Sequence, residues 1–238
     1  MENSIYIYHH LGLGDHFLCN GIVRTYAERY DKVFLFAKPR NNTNVVRLYK
    51  DLTKLKVLPL DDPDVRFFMQ INPNNNYKII GITPEWFRKL DVEKAFLSFD
   101  HGFYVAADVP FEDKWNKFYF ERDIESEKNA YYNRLNLKDE EEYLFVHDDR
   151  ERGRYFKPET IEKGIKIIRA TDYKDVGIFD FIYTIEHAKE VHVMNSSFSC
   201  LIDTMQIKND HLFYHHYART DMGENPNHQF KLNWTILK

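Results

Sequence analysis

Cysteine is scarce in this sequence. Only Cys19 and Cys200 occur in 238 residues, and no Cys-x-x-Cys pair is present. That argues against a disulfide framework and against a structural zinc site. A basic excess is also missing: 33 Lys plus Arg stand against 37 Asp plus Glu, for a formal net charge of −4. No basic stripe runs along the chain, so nucleic acid is not an expected partner. No apolar run approaches the roughly 20 residues that span a bilayer, so no transmembrane segment is expected. The opening "MENSIYIY" has neither a basic n-region nor a long apolar h-region, and no signal peptide is expected from it. The expected location is the cytoplasm. The Asn-x-Ser/Thr triplets at Asn41, Asn195 and Asn233 are then chance matches, because cytosolic chains are not N-glycosylated. P-loop and Gly-x-Ser-x-Gly patterns are absent, no His-x-x-x-His falls on an expected helix, and no metal site is expected.

What is present is a large stock of core-forming residues. Aromatics make up 16% of the chain, from 19 Phe, 16 Tyr and 3 Trp, and the length suffices to bury a real core. Eleven histidines could add positive charge below neutral pH. Apolar runs alternate with helix-period segments. Strands are expected at 4–9, 32–38, 55–60 and 77–82, with helices at 15–30, 42–52 and 62–71. In the first helix Leu18, Ile22 and Tyr26 recur every four residues, with Phe17 and Gly21 beside them, as one buried stripe. Residues 103–123 are aromatic and irregular, broken at Pro110. Residues 123–142 are charged and helix-prone. The alternation then restarts, with strands at 143–147, 165–170, 190–194 and 211–216 and helices at 178–188 and 196–206. The pattern is α/β, two Rossmann-like parallel-sheet domains: an N-terminal one over 1–123, a connector over 124–142 and a compact C-terminal one over 143–238. No internal repeat and no low-complexity tract occurs.

Two loops carry candidate chemistry. "LGLGD" follows the first strand and opens a helix, where ligands sit in doubly wound folds. Gly12 and Gly14 allow a sharp turn and close approach of a ligand, and Asp15 falls at or near the helix N-cap. A plain capping turn accounts for the same residues. The dinucleotide fingerprint fails, because its third glycine is Phe17 here and an acid repels pyrophosphate; a neutral, hydroxyl-bearing ligand suits the loop better. In the second half, Asn195, Ser196 and Ser197 join a strand to a helix, and free N–H groups beside hydroxyls make an anion cradle. Capping again explains them equally well. The loop "HDDRERGRYFK" places Arg150, Arg152, Arg154 and Lys157 at a strand end on the same expected edge, and Arg suits two-pronged contact with phosphate. Asp148, Asp149 and Glu151 could instead neutralise these cations. Asp148 and Asp149 are poor magnesium ligands, since adjacent residues tend to point apart.

These residues resemble a known family. "LGLGDHFLCNGIVRTYAERY" is similar to the N-terminal signature of GT-B glycosyltransferases, notably the ADP-heptose:lipopolysaccharide heptosyltransferases, with Arg24 in the place of a later family arginine. "IFDFIYTIEHAKEVHVMNSSFSCLID" resembles their C-terminal pattern. "FYVAADVPFEDKWNKFYFERD" resembles the middle of bacterial and viral proteins grouped with glycosyltransferases. These pieces cover about a third of the chain, in the family's order. The resemblance implies two domains facing a cleft, a nucleotide-sugar donor held by the C-terminal one and a glycan or glycolipid acceptor held by the N-terminal one. It implies no cofactor and no metal, with Arg150, Arg152, Lys157, Asn195, Ser196, Ser197 and Phe198 around the donor diphosphate. It implies Asp15 as general base and inversion at the sugar carbon. His10 is the second choice for the base, since one of His9 and His10 should face the cleft. Gly12, Gly14, His16 and His101 are expected on the acceptor side, with Asp100 and Tyr104 as further acceptor contacts. His215, His216 and Arg219 are expected on the donor edge. Three departures stand out: Asn195 replaces the family's acid, the second unit is expected to be trimmed, and the ribose-binding acid is assigned no better than to Glu186. A non-catalytic nucleotide- or sugar-binding module and a nucleotide-sugar epimerase are the competing readings of the same fold.

Overall fold

The β-branched and aromatic runs of the first half pair side by side in the computed structural model, which describes residues 3–81, 98–161, 164–222 and 229–238. Strands β1 (Ser4–Tyr8), β2 (Lys32–Ala37), β3 (Leu55–Pro59) and β4 (Tyr77–Ile79) form a parallel sheet in the order β3-β2-β1-β4. Ile5 lies opposite Val33 and Ile7 opposite Leu35. Both faces must be covered for such residues to stay dry, and helical crossovers do this. On one face Tyr8, Leu11, Phe36 and Val65 form a buried cluster.

The expected helix 15–30 is two helices, α1 (Leu13–Leu18) and α2 (Asn20–Arg29), with Cys19 between them at φ −91° and ψ 5°. The ladder carries across the bend through Cys19 N–H to Asp15 O and Val23 N–H to Cys19 O. The expected stripe of Phe17, Leu18, Ile22 and Tyr26 is buried. Gly21 has a packing reason: a Cβ there would lie 2.0 Å from the backbone oxygen of Asp113. Helices α3 (Asn42–Leu48) and α4 (Asp62–Ile71) follow β2 and β3.

The aromatic stretch expected to be irregular contains two helical pieces, the end of α5 (Phe99–Ala107) and all of α6 (Asp113–Asn116), and is irregular beyond them. Asp100, Phe103, Tyr104 and Ala107 are all buried, an i, i+3, i+4, i+7 stripe that wins over the local irregularity. Asp108 ends α5 in the left-handed region at φ 54°, and Pro110 falls harmlessly between the two helices. A fully buried ion pair joins them, Lys114 Nζ to Asp100 Oδ2 at 2.6 Å. Lys114 also donates to Gln229 O at 2.5 Å, and Gln229 N–H donates to Asp100 at 3.2 Å.

Residues 1–121 with 227–229 form one unit, and residues 122–226 with 230–238 form the other. In the second, β5 (Tyr143–His147), β6 (Lys166–Arg169), β7 (Glu190–Val193), β8 (Leu212–His215) and β9 (Trp234–Leu237) run parallel in the order β6-β5-β7-β8-β9. Among the described residues this sheet has five strands against four in the first. Strand β9 was not foreseen. It is secured by the buried carboxylate of Asp203, which accepts the backbone N–H groups of Lys231 (2.8 Å) and Leu232 (3.0 Å) and the indole N–H of Trp234 (3.3 Å).

Residues 124–142, expected as a connector, belong to this second unit. Asp123 caps α7 (Ile124–Asn129) by accepting the Ser126 N–H at 3.0 Å. Arg122 pairs with Glu127 at 2.5 Å and with Glu186 at 2.8 Å, tying α7 to α8 (Ile182–Glu186). The expected helix 178–188 thus shortens to α8 after a 3-10 turn at Ile178–Phe181. The last helix, α9 (Ser197–Met205), follows β7.

Replacing Lys114 with Met leaves the Asp100 carboxylate buried beside no cation, which should lower the unfolding free energy by roughly 3–5 kcal/mol. Urea denaturation of Lys114→Met measures it, and the double variant with Asp100→Asn should recover part of the loss.

Candidate functional site

In the first unit β1, β2 and β3 run outward to one side and β4 returns on the other, so strand order reverses beside β1. The crevice beyond the carboxyl ends at such a reversal is where open α/β sheets bind ligands. The Gly12–Asp15 loop lies there. Gly12 is the N-cap of α1, at φ −71° and ψ 148°, so it is not needed for a left-handed turn. It is needed for room: a Cβ would sit 2.6 Å from Asp15 Oδ2. The carboxylate of Asp15 therefore folds back over the cap from the third helical position, with Gly14 at the second. An acid in the first turn suits the helix dipole, and Asp15 remains part-exposed.

The histidines around this loop divide into three kinds. His10 is half-buried, donates from Nε2 to the Gly81 carbonyl, and packs edge-on to Phe99 at 5.2 Å. Burial lowers its pKa, so the neutral ring keeps Nδ1 as its basic nitrogen. His9 and His16 are fully buried, with ring centroids 4.5 Å apart. Burial pushes His9 down to about 4 and His16 well below its ordinary value. The expectation that His16 lines an acceptor surface is therefore corrected: it packs beneath the loop. His101 is part-exposed and stacks on Phe111 at 4.3 Å. Asp100 and Tyr104 are not acceptor contacts either. Asp100 is neutralised by Lys114, and the Tyr104 hydroxyl donates to Leu18 O at 2.9 Å inside the core. Arg24 makes a two-pronged contact with Asp51, at 2.8 and 2.9 Å, and donates to Tyr119 O; it anchors α2.

In the second unit the order reverses beside β5, which lies between β6 and β7. His147 at the end of β5 is opposite Val193 at the end of β7, so the loops 148–157 and 194–196 leave from neighbouring strands at one edge. Arg150 Nε is 3.3 Å from Asp148, and Arg152 is 3.2 Å from Asp149. These side chains are 52% and 68% exposed. Such exposed pairs are weak, and an anionic ligand could replace the carboxylates. Asp148 itself is buried and also pairs with Arg169 at the end of β6. Lys157 is exposed, with Nζ 4.4 Å from the centre of the Tyr217 ring.

Ser196 is the N-cap of α9, and Ser197 its first residue. The Ser199 hydroxyl accepts the Ser196 N–H at 3.1 Å and donates to Ser196 O at 2.8 Å. The Asn195 carbonyl accepts from Arg219 at 3.1 Å, which brings Arg219 to this edge as expected. Phe198 is a core residue instead of a ligand contact: its ring packs on Phe145, Phe181 and His147 at 5.4, 5.8 and 4.5 Å. His215 and His216 are buried, so neither presents its ring to a ligand at the edge. Glu186, the guess for a ribose contact, is held by Arg122. Arg169 and Tyr217 were overlooked. A cation closing the apolar strand "IKIIR" was the available signal for the first; for the second, the aromatic and histidine-rich run at the end of β8 gave only a general one.

No family model matches the chain, and no curated protein matches it. Its fold is found in solved structures. A glycosyl transferase family 9 protein from Veillonella parvula superposes with a TM-score of 0.59 at 9% identity, covering 100% of this chain and 87% of that one. The E. coli ADP-heptose LPS heptosyltransferase II superposes with a TM-score of 0.55 at 12% identity, covering 89% of this chain and 84% of that one. The GT-B-like α/β fold expected from the sequence is thereby borne out.

The buried histidines set a pH dependence. Burial holds His9 and His147 at about 4 and His215 at about 3, below the ordinary 6.5. The unfolded chain therefore takes up protons first as pH falls. Stability is intact above about pH 6.5 and declines toward pH 4, by on the order of 2 kcal/mol per ring at pH 5. Urea midpoints at pH 7.5 and 5 measure this decline. Equal midpoints would mean the rings are not held neutral.

Proposed function

We propose that the chain is a glycosyltransferase that moves a sugar from a nucleotide-sugar donor to a hydroxyl of a glycan or glycolipid acceptor. One observation carries the proposal. Each unit has a strand-order reversal, and the loops there have opposite character: acid-tipped at Gly12–Asp15, cation-rich at Arg150–Lys157 beside the start of α9. The likeness of fold to two solved glycosyltransferases supports it.

The chemistry follows from the side chains. An acceptor oxygen attacks the sugar carbon from the face opposite the leaving group. The new C–O bond forms as the bond to the diphosphate oxygen breaks, and its electron pair leaves with the diphosphate. Asp15 takes the acceptor proton, with His10 Nδ1 as the alternative base. Attack from the opposite face inverts the sugar carbon. Arg150, Arg152 and Lys157, with the N–H groups at Ser196–Ser197, meet the developing charge. Stabilisation of the leaving group is assigned to these groups without a metal, and the reaction is placed in the cytoplasm. One observation favours a second reading, a binding module without turnover: Asn195 stands where the resembled family carries an acid.

Nucleoside diphosphates and their sugars, tested by thermal shift with and without EDTA, should include one series that raises the melting temperature in both conditions. In Asp15→Asn that shift should persist while turnover falls by about 10²–10⁴-fold, the usual contribution of a general base. Full activity in that variant would reduce Asp15 to a first-turn acid that suits the helix dipole. Binding by the unaltered chain with no transfer to any acceptor would favour the module.

A further inference from the structure

A line of hydrogen bonds crosses the second sheet, apart from the groups given chemical roles above until it reaches Lys157. Glu190 opens β7, and its Oε2 lies 2.9 Å from His192 Nε2. His192 Nδ1 lies 2.9 Å from His215 Nε2 on β8. His215 Nδ1 lies 2.9 Å from the Tyr217 hydroxyl. That hydroxyl accepts the backbone N–H of Lys157 at 2.8 Å. His192 is opposite Phe213 in the ladder, so His192, Phe213 and His215 project from one face. Phe213 stacks on His192 at 4.7 Å, and Phe156 stacks on His215 at 3.8 Å. Both imidazoles are almost wholly buried, at 1% and 0% exposure.

Counting donors fixes the direction of every bond. An ionised carboxylate only accepts, so His192 Nε2 carries its hydrogen. Burial lowers the pKa of both rings, His215 to about 3, so each is neutral and has a single N–H. His192 Nδ1 must then accept, and His215 Nε2 must donate. His215 Nδ1 accepts in turn, and the Tyr217 O–H donates to it. The Tyr217 oxygen is left to accept from Lys157. Reversing any one bond would strand a buried ring nitrogen, which is costly.

We propose that Glu190, His192 and His215 form a one-way relay that sets the Tyr217 hydroxyl, and that Tyr217 is the positioning residue for Lys157. Tyr217 holds Lys157 at two points, through its amide and through the ammonium group over the ring. It also lies 3.3 Å from the Thr160 hydroxyl, which donates to Lys157 O at 2.6 Å. Phe156 seats the same loop in the cluster of Leu144, Val146 and Met194. An apolar pair in place of the two histidines would pack the sheet as well, but would give the tyrosine hydroxyl no direction. The assignment of Lys157 to a donor diphosphate rests on the function proposed above; the relay does not.

The test uses the full chain. Nitrogen-15 NMR of labelled histidine at pH 7 should show His192 and His215 neutral with hydrogen on Nε2 in both. A cationic ring, or hydrogen on Nδ1 in either, overturns the relay. Glu190→Gln can present an amide N–H to His192, so the tautomers should become mixed; an unchanged spectrum overturns Glu190 as the terminus that sets direction. In Tyr217→Phe the Lys157 amide should exchange about tenfold faster, as for loss of one hydrogen bond of ordinary strength, and unchanged exchange overturns the positioning role. Inorganic pyrophosphate separates the two proposals. If the unaltered chain binds it, Tyr217→Phe should bind it several-fold more weakly, and equal affinity overturns the link to the cationic edge. If the unaltered chain binds neither pyrophosphate nor any nucleoside diphosphate, the donor-site assignment fails, while the spectra and the amide exchange still decide the relay.

Discussion

Parallel pairing of strands is the constraint on which the rest of this structure depends. It forces each connection to cross the sheet, and the helices that make the crossings shield both faces. It also gathers every carboxyl end at one edge of its sheet. In each unit the first strand, β1 or β5, has later strands on both sides. The loop after it therefore opens beside a crevice that no crossover fills. The acid-tipped turn and the cation-rich loop each follow the first strand of their sheet. Their placement is a consequence of topology, before any side chain is considered.

Buried polar groups then do what apolar packing cannot: they select one arrangement among several of similar burial. Lys114 and Asp100 lock α5 to α6 and also fix the backbone of Gln229. Asp203 gathers three N–H groups from the segment that becomes β9. Arg122 joins α7 to α8 through two glutamates. Each of these charges would be expensive alone and is tolerable because its partners are fixed. The proposed histidine relay is a related device whose two buried rings are neutral. Neutral imidazoles carry direction without the desolvation cost of an ion pair.

Sequence pattern revealed the strands well, because parallel strands are apolar on both faces and bounded by polar turns. Eight of the nine strands among the described residues lie within the expected runs. The failures have specific causes. β9 is held by Asp203, far away in sequence, and its four residues carry too weak a local signal. The α5 stripe was obscured because Asp100, a buried acid, sits where an apolar residue would mark the period. Residues 124–142 read as a connector because their charges look solvated, yet Glu127 is buried and pairs with Arg122. At the candidate site, the strand-end loops were legible, whereas burial was not. Loop neighbours such as His9, His16, Phe198 and His215 look alike in sequence whether they face ligand or core. Only tertiary packing separates them.

For Asp15, a place in the first turn of α1 and the catalytic role proposed for it need not compete. Asp15 is an acid at the third position of α1, in the first turn, where the free N–H groups and the dipole attract negative charge. A charged carboxylate is the form that can accept a proton. Gly12 leaves the space through which Asp15 folds back. What distinguishes a catalytic acid from a structural one is then its location. A first-turn acid on an ordinary surface helix has no crevice in front of it. This one stands at the strand-order reversal of its sheet, with His10 pinned to Gly81 in the same turn. The proposed catalytic role therefore rests on the position of this first-turn acid within the topology.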